Sequence, residues 1–235
     1  EQMITDKEGN VIGVPGYSGY LAFWVNQKIM DNAGITSIDT KEDFKKYMSA
    51  ASVNGTYGYG GSWEKTYVFN EIAQFVNMFG GDYFDWTRPE NKEAIQFLYD
   101  MVKNNETPID QIADKYEQMN PKANDGKYGC WFMWGLGSDY QKAGMLGDDK
   151  IHMAMVPSMT DDGNRAIFTD SWSYVLNSAS KNKEAAIKFL KYMASEGGME
   201  ASYKAFDRYP ARRDVAEKVV PDSDPAKEMR SEERR

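Results

Sequence analysis

Residues 169–173 read Thr-Asp-Ser-Trp-Ser, an indole set among small hydroxyls and a carboxylate. At such a place Trp172 is either covered by another part of the fold or turned toward a ligand, with Asp170 beside it as an acceptor. Reactive chemistry is scarce elsewhere. The chain has 1 Cys, Cys130, and 1 His, His152, so no Cys/His zinc cluster and no internal disulfide can assemble. A Ser-His-Asp arrangement has no supporting G-x-S-x-G turn. Cys130 sits in the apolar run "YGCWFMW" and reads as a small buried hydrophobe rather than a reactive thiol. The glycine-rich stretch 55–63 lacks the Lys-Ser/Thr of a phosphate loop and points to no nucleotide. What remains is aromatic: 15 Tyr and 6 Trp, suited either to an aromatic-rich core or to a surface that stacks rings on a flat ligand.

Charge narrows the partners. A formal net charge of -8 disfavours nucleic acid and anionic membrane surfaces. No apolar run approaches the ~20 residues needed to cross a bilayer. At 235 residues the chain is long enough for one large or two modest domains.

The elements that would position these residues follow from periodicity and punctuation. Residues 10–26 read as strand, bend, strand about Pro15-Gly16 and Gly19. A short helix over 27–33 ends at Gly34. Thr40 and Asp43 form a capping box for the next helix, which buries Phe44, Tyr47 and Met48. The spacing Phe69, Ile72, Ala73, Val76, Phe79 predicts a helix, with Asp82 in the turn after it. Thr87 and Glu90, with Pro89 between, read as a second capping box. The helix it opens carries Ala94, Ile95, Leu98, Met101 and Val102. Residues 104–127 are weakly patterned. Residues 128–134 predict a strand buried on both faces, 139–146 a short helix, 151–157 and 173–177 two more strands. Ser180 caps a helix with a stripe of Ala186, Phe189, Leu190, Met193 and Ala194. Strands alternating with helices point to α/β layers with a mostly parallel sheet.

The order of motifs then becomes specific: residues 11–35, "TKEDF" at 40–44, "GGDYFD" at 80–85, "NKEAIQFLYDMV" at 91–102, "DGKYGCWFMWG" at 125–135, "IHMAMVPSMTDDG" at 151–163, "SASKNKEAAIKFLKYM" at 178–193 and "RYPARRDV" at 208–215. The series resembles extracellular solute-binding protein family 1, the maltose-binding-protein-like sugar-binding components of ABC importers. "SKNKEAA" followed by "FLKYM", and "YPARRDV", carry most of that likeness.

The resemblance implies a periplasmic-binding-protein-like type II fold: α/β, two lobes with mainly parallel sheets, and a ligand cleft at the lobe boundary. Mapped onto this chain, residues 1–17 are the crossover from the amino-terminal lobe and 18–150 the carboxy-terminal lobe. Residues 151–195 return to the first lobe, and 196–235 head back toward the second and end in a charged tail. The opening part of the amino-terminal lobe, on the order of ~100 residues, lies outside this sequence on that mapping.

Sugars present hydroxyls on their rims and C–H patches on their faces, so a site needs flat aromatics together with charged or amide partners. Trp63, Trp134 and Trp172 all lie at strand ends or strand-to-helix junctions and are the candidate stacking rings. Tyr17 and Tyr20 flank the first crossover. Asp170 is either an acceptor for sugar hydroxyls or a turn residue, and Arg212 either a bidentate donor or part of a surface salt bridge. Trp24, Trp86 and Trp131 are assigned to core or surface packing. The implied function is non-catalytic carbohydrate capture outside the cytoplasm, with permease subunits as partners and membrane attachment only through a lipid anchor outside this chain. No catalytic residue, metal or cofactor is expected. The alternatives are a glycoside hydrolase, or a binder of a peptide, polyamine or oxyanion on the same fold.

Overall fold

The computed structural model describes residues 5–134, 140, 144–147 and 150–222. The helix expected over 139–146 and most of the charged tail fall largely outside them. The chain divides into two compact units, Leu21–Phe168 and Glu1–Tyr20 with Thr169–Arg235. This differs from the expected boundaries. Residues 151–168 belong to the first of these units because β4 (Ile151–Ala154) hydrogen-bonds along β1 (Val14–Asn26), pairing Val25 with His152. Residues 196–222 stay with the unit that holds the chain's two ends.

In the unit Leu21–Phe168 the sheet runs β2 (Tyr57–Gly60), β3 (Tyr128–Trp134), β1, β4. The β2–β3 ladder is parallel; β1 meets β3 and β4 antiparallel. In the other unit β5 (Thr169–Tyr174) lies antiparallel to the first half of β1, because it is the returning chain laid beside the outgoing one. The fold is α/β, but its sheets are mixed rather than mainly parallel.

Period-two alternation builds the core of the larger unit. Leu21, Phe23 and Val25 of β1 and Cys130 and Phe132 of β3 face one side, where they meet Phe44, Tyr47 and Met48 of α2 (Lys41–Ala51), Phe75 of α3 (Val68–Met78) and Phe97 of α4 (Pro89–Lys103). Phe132 meets Phe75 edge-on at 5.7 Å and Phe23 at 5.2 Å. The opposite face carries Trp24 and Trp131, directly paired across the ladder and both fully buried. Their indole N–H groups donate to the Met133 carbonyl and the Tyr140 hydroxyl, which is what lets two such rings be buried. Trp24 and Trp131 are therefore core packing residues, and Trp86 packs at the surface, edge-on to Tyr83 at 5.7 Å.

Local chemistry explains several boundaries. Thr40 and Asp43 make both bonds of a capping box at the start of α2. α1 (Gln27–Asn32) ends before Gly34, whose φ of +67° a side chain would resist. Residues 14–26 form one strand rather than two. A bulge between Pro15 and Tyr17 absorbs the proline, and at Gly16 a Cβ would meet the Tyr174 ring at 2.6 Å. The stretch 55–63 contains a strand, β2, paired along β3, and α2 lies so close that a Cβ at Gly58 would strike the Met48 backbone at 2.5 Å. The second expected capping box is absent: Thr87 Oγ1 donates to Asp85, Arg88 occupies the cap without a side-chain bond, and Pro89 opens α4. Within residues 104–127 the chain forms a 3-10 turn (Ile109–Ala113) and α5 (Tyr116–Asn124).

The unit of the chain ends holds β5 and three helices, α6 (Lys183–Met193), α7 (Glu196–Phe206) and α8 (Arg213–Val219). β5 begins earlier than the sequence suggested, so Trp172 lies inside a strand. The cap of α6 is Asn182, not Ser180, and none of its residues is buried, although Phe189 belongs to its expected apolar stripe.

Candidate functional site

In the unit of the chain ends, Tyr17 of β1 and Trp172 of β5 are direct cross-strand partners. Their rings stack at 5.8 Å with an interplanar angle of 11°. Trp172 is 56% exposed, so stacking covers one face of the indole and leaves much of the ring open. Two residues back on the same face, Asp170 Oδ2 accepts the Trp172 indole N–H at 2.6 Å and fixes the ring's rotation. The other Asp170 oxygen, Oδ1, is buried without a partner among the described residues. The far end of this layer is Arg208, whose guanidinium lies 4.3 Å from the Tyr17 ring centroid. Segment 208–210 is held there by a bridge between Tyr17 and Pro210 and by the Ser18 N–H donating to the Tyr209 carbonyl. Burial pushes the Tyr17 hydroxyl upward, and the Arg208 charge opposes it.

Tyr20, paired with Thr169, is half-buried. Arg212 is already engaged: its Nε and Nη2 donate to the two Asp214 oxygens at 3.1 and 2.5 Å, and its Nη1 to the Ala194 carbonyl.

In the unit Leu21–Phe168, Trp63 and Trp134 are half-buried; Trp63 bonds α3 directly and Trp134 is linked to it through Tyr116 of α5. Trp63 Nε1 donates to Glu71 Oε2 at 2.9 Å. Trp134 Nε1 donates to the Tyr116 hydroxyl at 2.9 Å, and Asn70 Nδ2 donates to the same oxygen at 2.9 Å. Tyr67 lies against Tyr116 with ring centroids 4.4 Å apart, and Phe168 meets Trp134 edge-on at 6.1 Å. The strand-to-helix turn carrying Trp63 is tied to the 3-10 turn: Gly61 N–H donates to Gln111 Oε1, and Trp63 N–H to the Gln111 carbonyl. Gln74 of α3 accepts from the Phe168 N–H and donates to the Ala166 carbonyl.

Glu71 is almost wholly buried. Besides Trp63, the Tyr59 hydroxyl and the Ser62 N–H donate to its carboxylate. Burial raises its pKa to about 6, while the three donors pull it down. Cys130 is fully buried, and burial pushes its thiol well up, away from reactivity.

The structure thus gathers Tyr17, Asp170 and Trp172 into one layer, and joins Trp63 to Trp134 through Glu71, Asn70 and Tyr116. Sequence reasoning missed Arg208, Asn70, Glu71, Tyr67, Tyr116 and Phe168. A signal existed for the α3 pair: Asn70, Glu71 and Gln74 interrupt a segment otherwise apolar nearly all round. Tyr116 lay in the weakly patterned stretch and carried none.

Chemically, the two layers offer flat rings with hydrogen-bonding rims. Among the described residues no group of three His, Cys, Asp or Glu could hold a metal ion.

Known proteins bear on this arrangement. The curated arabinooligosaccharide-binding protein of Halalkalibacterium halodurans is 28% identical over 230 residues, covering 91% of this chain and 50% of that protein. The chain thus spans about half the length of that relative. The backbone superimposes on the sugar transporter of Arthrobacter chlorophenolicus with bound laminaribiose, with a TM-score of 0.81, 18% identity, and coverage of 99% of this chain and 60% of that one. It also superimposes on the maltose-bound MalE3 of T. maritima, with a TM-score of 0.77, 19% identity, and coverage of 98% and 62%. At such identities the structural likeness establishes the fold, the type II solute-binding architecture. The sequence profile described as bacterial extracellular solute-binding protein matches residues 2–200, and the chain belongs to that family.

Proposed function

We propose that this chain captures oligosaccharide for an ABC importer, as a binding component without catalytic function, and that Tyr17, Tyr20, Trp63, Trp134, Asp170 and Trp172 contact the ligand. The observation that carries this reading is the Tyr17–Trp172 pair: a fixed indole with an open face and its N–H already held by Asp170. Exposure alone does not distinguish it, since Trp86 is also exposed; the clamp of Tyr17 and Asp170 does. An indole clamped by its neighbours and left open is pre-organised to receive the C–H face of a sugar ring. Asp170 Oδ1, without a partner among the described residues, would accept a ligand hydroxyl. Arg212 would join only by exchanging Asp214 for ligand.

The ligand class to test first is the arabinooligosaccharide named for the curated relative, followed by the maltose and laminaribiose of the structural ones. The partners in this reading are permease subunits, the place of work is outside the cytoplasm, and attachment is by a lipid anchor beyond this chain. Calorimetric titration of the protein with arabinotriose, maltotriose and laminaribiose tests the reading. Saturable binding by at least one, weakened in Trp172→Ala, is expected. No heat of binding from any of them, with thermal shift also silent, overturns it.

A further inference from the structure

The turn that carries Trp63 is shaped around one buried carboxylate. At Gly61 a Cβ would lie 2.6 Å from both Glu71 Oε2 and Trp63 Nε1, and at Gly60 2.2 Å from the Tyr128 ring, so only glycine lets the turn close over Glu71. Glu71 Oε1 accepts the Ser62 backbone N–H at 2.7 Å; Oε2 accepts the Trp63 indole N–H at 2.9 Å and the Tyr59 hydroxyl. An ionised carboxylate can accept all three. A protonated one cannot hold them unchanged, because its own O–H needs an acceptor where donors converge. Tyr59 can rotate its hydroxyl to accept that proton from Oε2, and Oε2, once it carries the proton, is a much poorer acceptor for the Trp63 N–H, which cannot turn to another partner.

We propose that Glu71 is a positioning residue: its carboxylate holds the half-buried Trp63 ring in the orientation that meets ligand, and protonation loosens that hold. The proposal rests on the carbohydrate reading for the role of Trp63, and on geometry alone for the grip of Glu71 on the ring.

The groups facing Glu71 leave it as the one that titrates near neutrality. β2 presents Tyr59, α5 presents Tyr116 and β3 presents Tyr128; burial pushes all three phenols up, Tyr116 to about 12. Cys130, behind Tyr59, is likewise held protonated. Asp114 and Asp110 act on Tyr128, and Lys122 pairs with both. Glu64, after the turn, is held below its usual value by Thr66. With its folded pKa near 6, Glu71 is ionised at neutral pH and protonated in mildly acidic solution.

The test follows the indole N–H signals of the 15N-labelled protein across pH. The Trp63 signal, identified by its loss in Trp63→Phe, should move with a midpoint of about 6. In Glu71→Gln it should not move, since an amide offers one carbonyl where two are needed and does not titrate. Arabinotriose affinity should fall about tenfold below the midpoint in the wild type, the worth of one lost hydrogen bond, and be pH-independent but weak in Glu71→Gln. Should Glu71→Gln not fold, Tyr59→Phe decides: removing a donor must raise the midpoint. A Trp63 signal that does not titrate, titrates equally in Glu71→Gln, or titrates while wild-type affinity stays flat overturns the proposal. If Trp63→Ala binds arabinotriose as the wild type does, the carbohydrate role of Trp63 fails instead, while the titration still decides whether Glu71 grips the ring.

Discussion

Replacing Trp172 by alanine separates a ligand-facing ring from a structural one, because the structure sets different magnitudes for the two roles. The indole is 56% exposed, so folding removes less than half of it from water. Its stack on Tyr17 and its bond to Asp170 are each worth about 1 kcal/mol, since neither lies in a desolvated core. The fold should therefore lose roughly 1–2 kcal/mol, a melting shift of about 2–8 °C for a chain of this size. A stacking tryptophan at the centre of a binding surface is worth about 2 kcal/mol or more to the complex, close to a thirtyfold loss of affinity. Calorimetry with arabinotriose and a thermal melt without ligand give both numbers. A larger melting shift with unchanged affinity would refute the reasoning, as it would show the ring to be packing and the open face incidental. Tyr17→Ala should reproduce the binding loss more weakly, because it removes the support of the indole and a smaller contact while leaving the open face of Trp172 in place.

The remaining predictions concern the scaffold and the chemistry. Glu71 has a folded pKa of about 6 against an ordinary 4.5, so its contribution to stability is fully present below about 4.5 and declines as pH rises through 6. Denaturant unfolding of the wild type relative to Glu71→Gln should lose about 2 kcal/mol across that window, and a difference rising with pH would contradict the assignment. Thr40→Ala should cost about 1 kcal/mol through the lost cap of α2, read from the urea midpoint. Phe132→Ala, which opens a cavity between Phe23 and Phe75, should cost about 3–5 kcal/mol. Chromogenic arabinosides and glucosides should give no turnover; a sustained rate would favour the hydrolase alternative.

How much was legible beforehand depends on where each feature's cause lies. The α2 capping box, the strand of residues 128–134 and the packing role of Trp24 and Trp131 come from local chemistry and alternation, and the sequence displays both. Trp172 was singled out because an indole among Ser and Asp is locally anomalous, but its stack on Tyr17 depends on a pairing across more than a hundred residues. The bulge that keeps β1 continuous through Pro15 has the same origin. Thr87 has a capping residue's chemistry, yet Asp85 wins the hydroxyl, a competition that composition does not reveal. Glu71 shows the limit most clearly. A glutamate in a helix normally reads as solvent-facing, and only the turn folded over it, with two glycines and three converging donors, shows why it is buried. The same burial sets stability against function, since the ionised form that best holds Trp63 is the form the interior disfavours.

The central claim is that particular indoles, Trp172 foremost, meet carbohydrate. It is tested most directly by the six tryptophan indole N–H signals as arabinotriose is added at neutral pH. The account predicts that Trp172, Trp63 and Trp134 shift and saturate while Trp24 and Trp131, sealed in the sheet, stay still. A Trp172 signal unmoved at saturating ligand, or shifts confined to other rings, would contradict it.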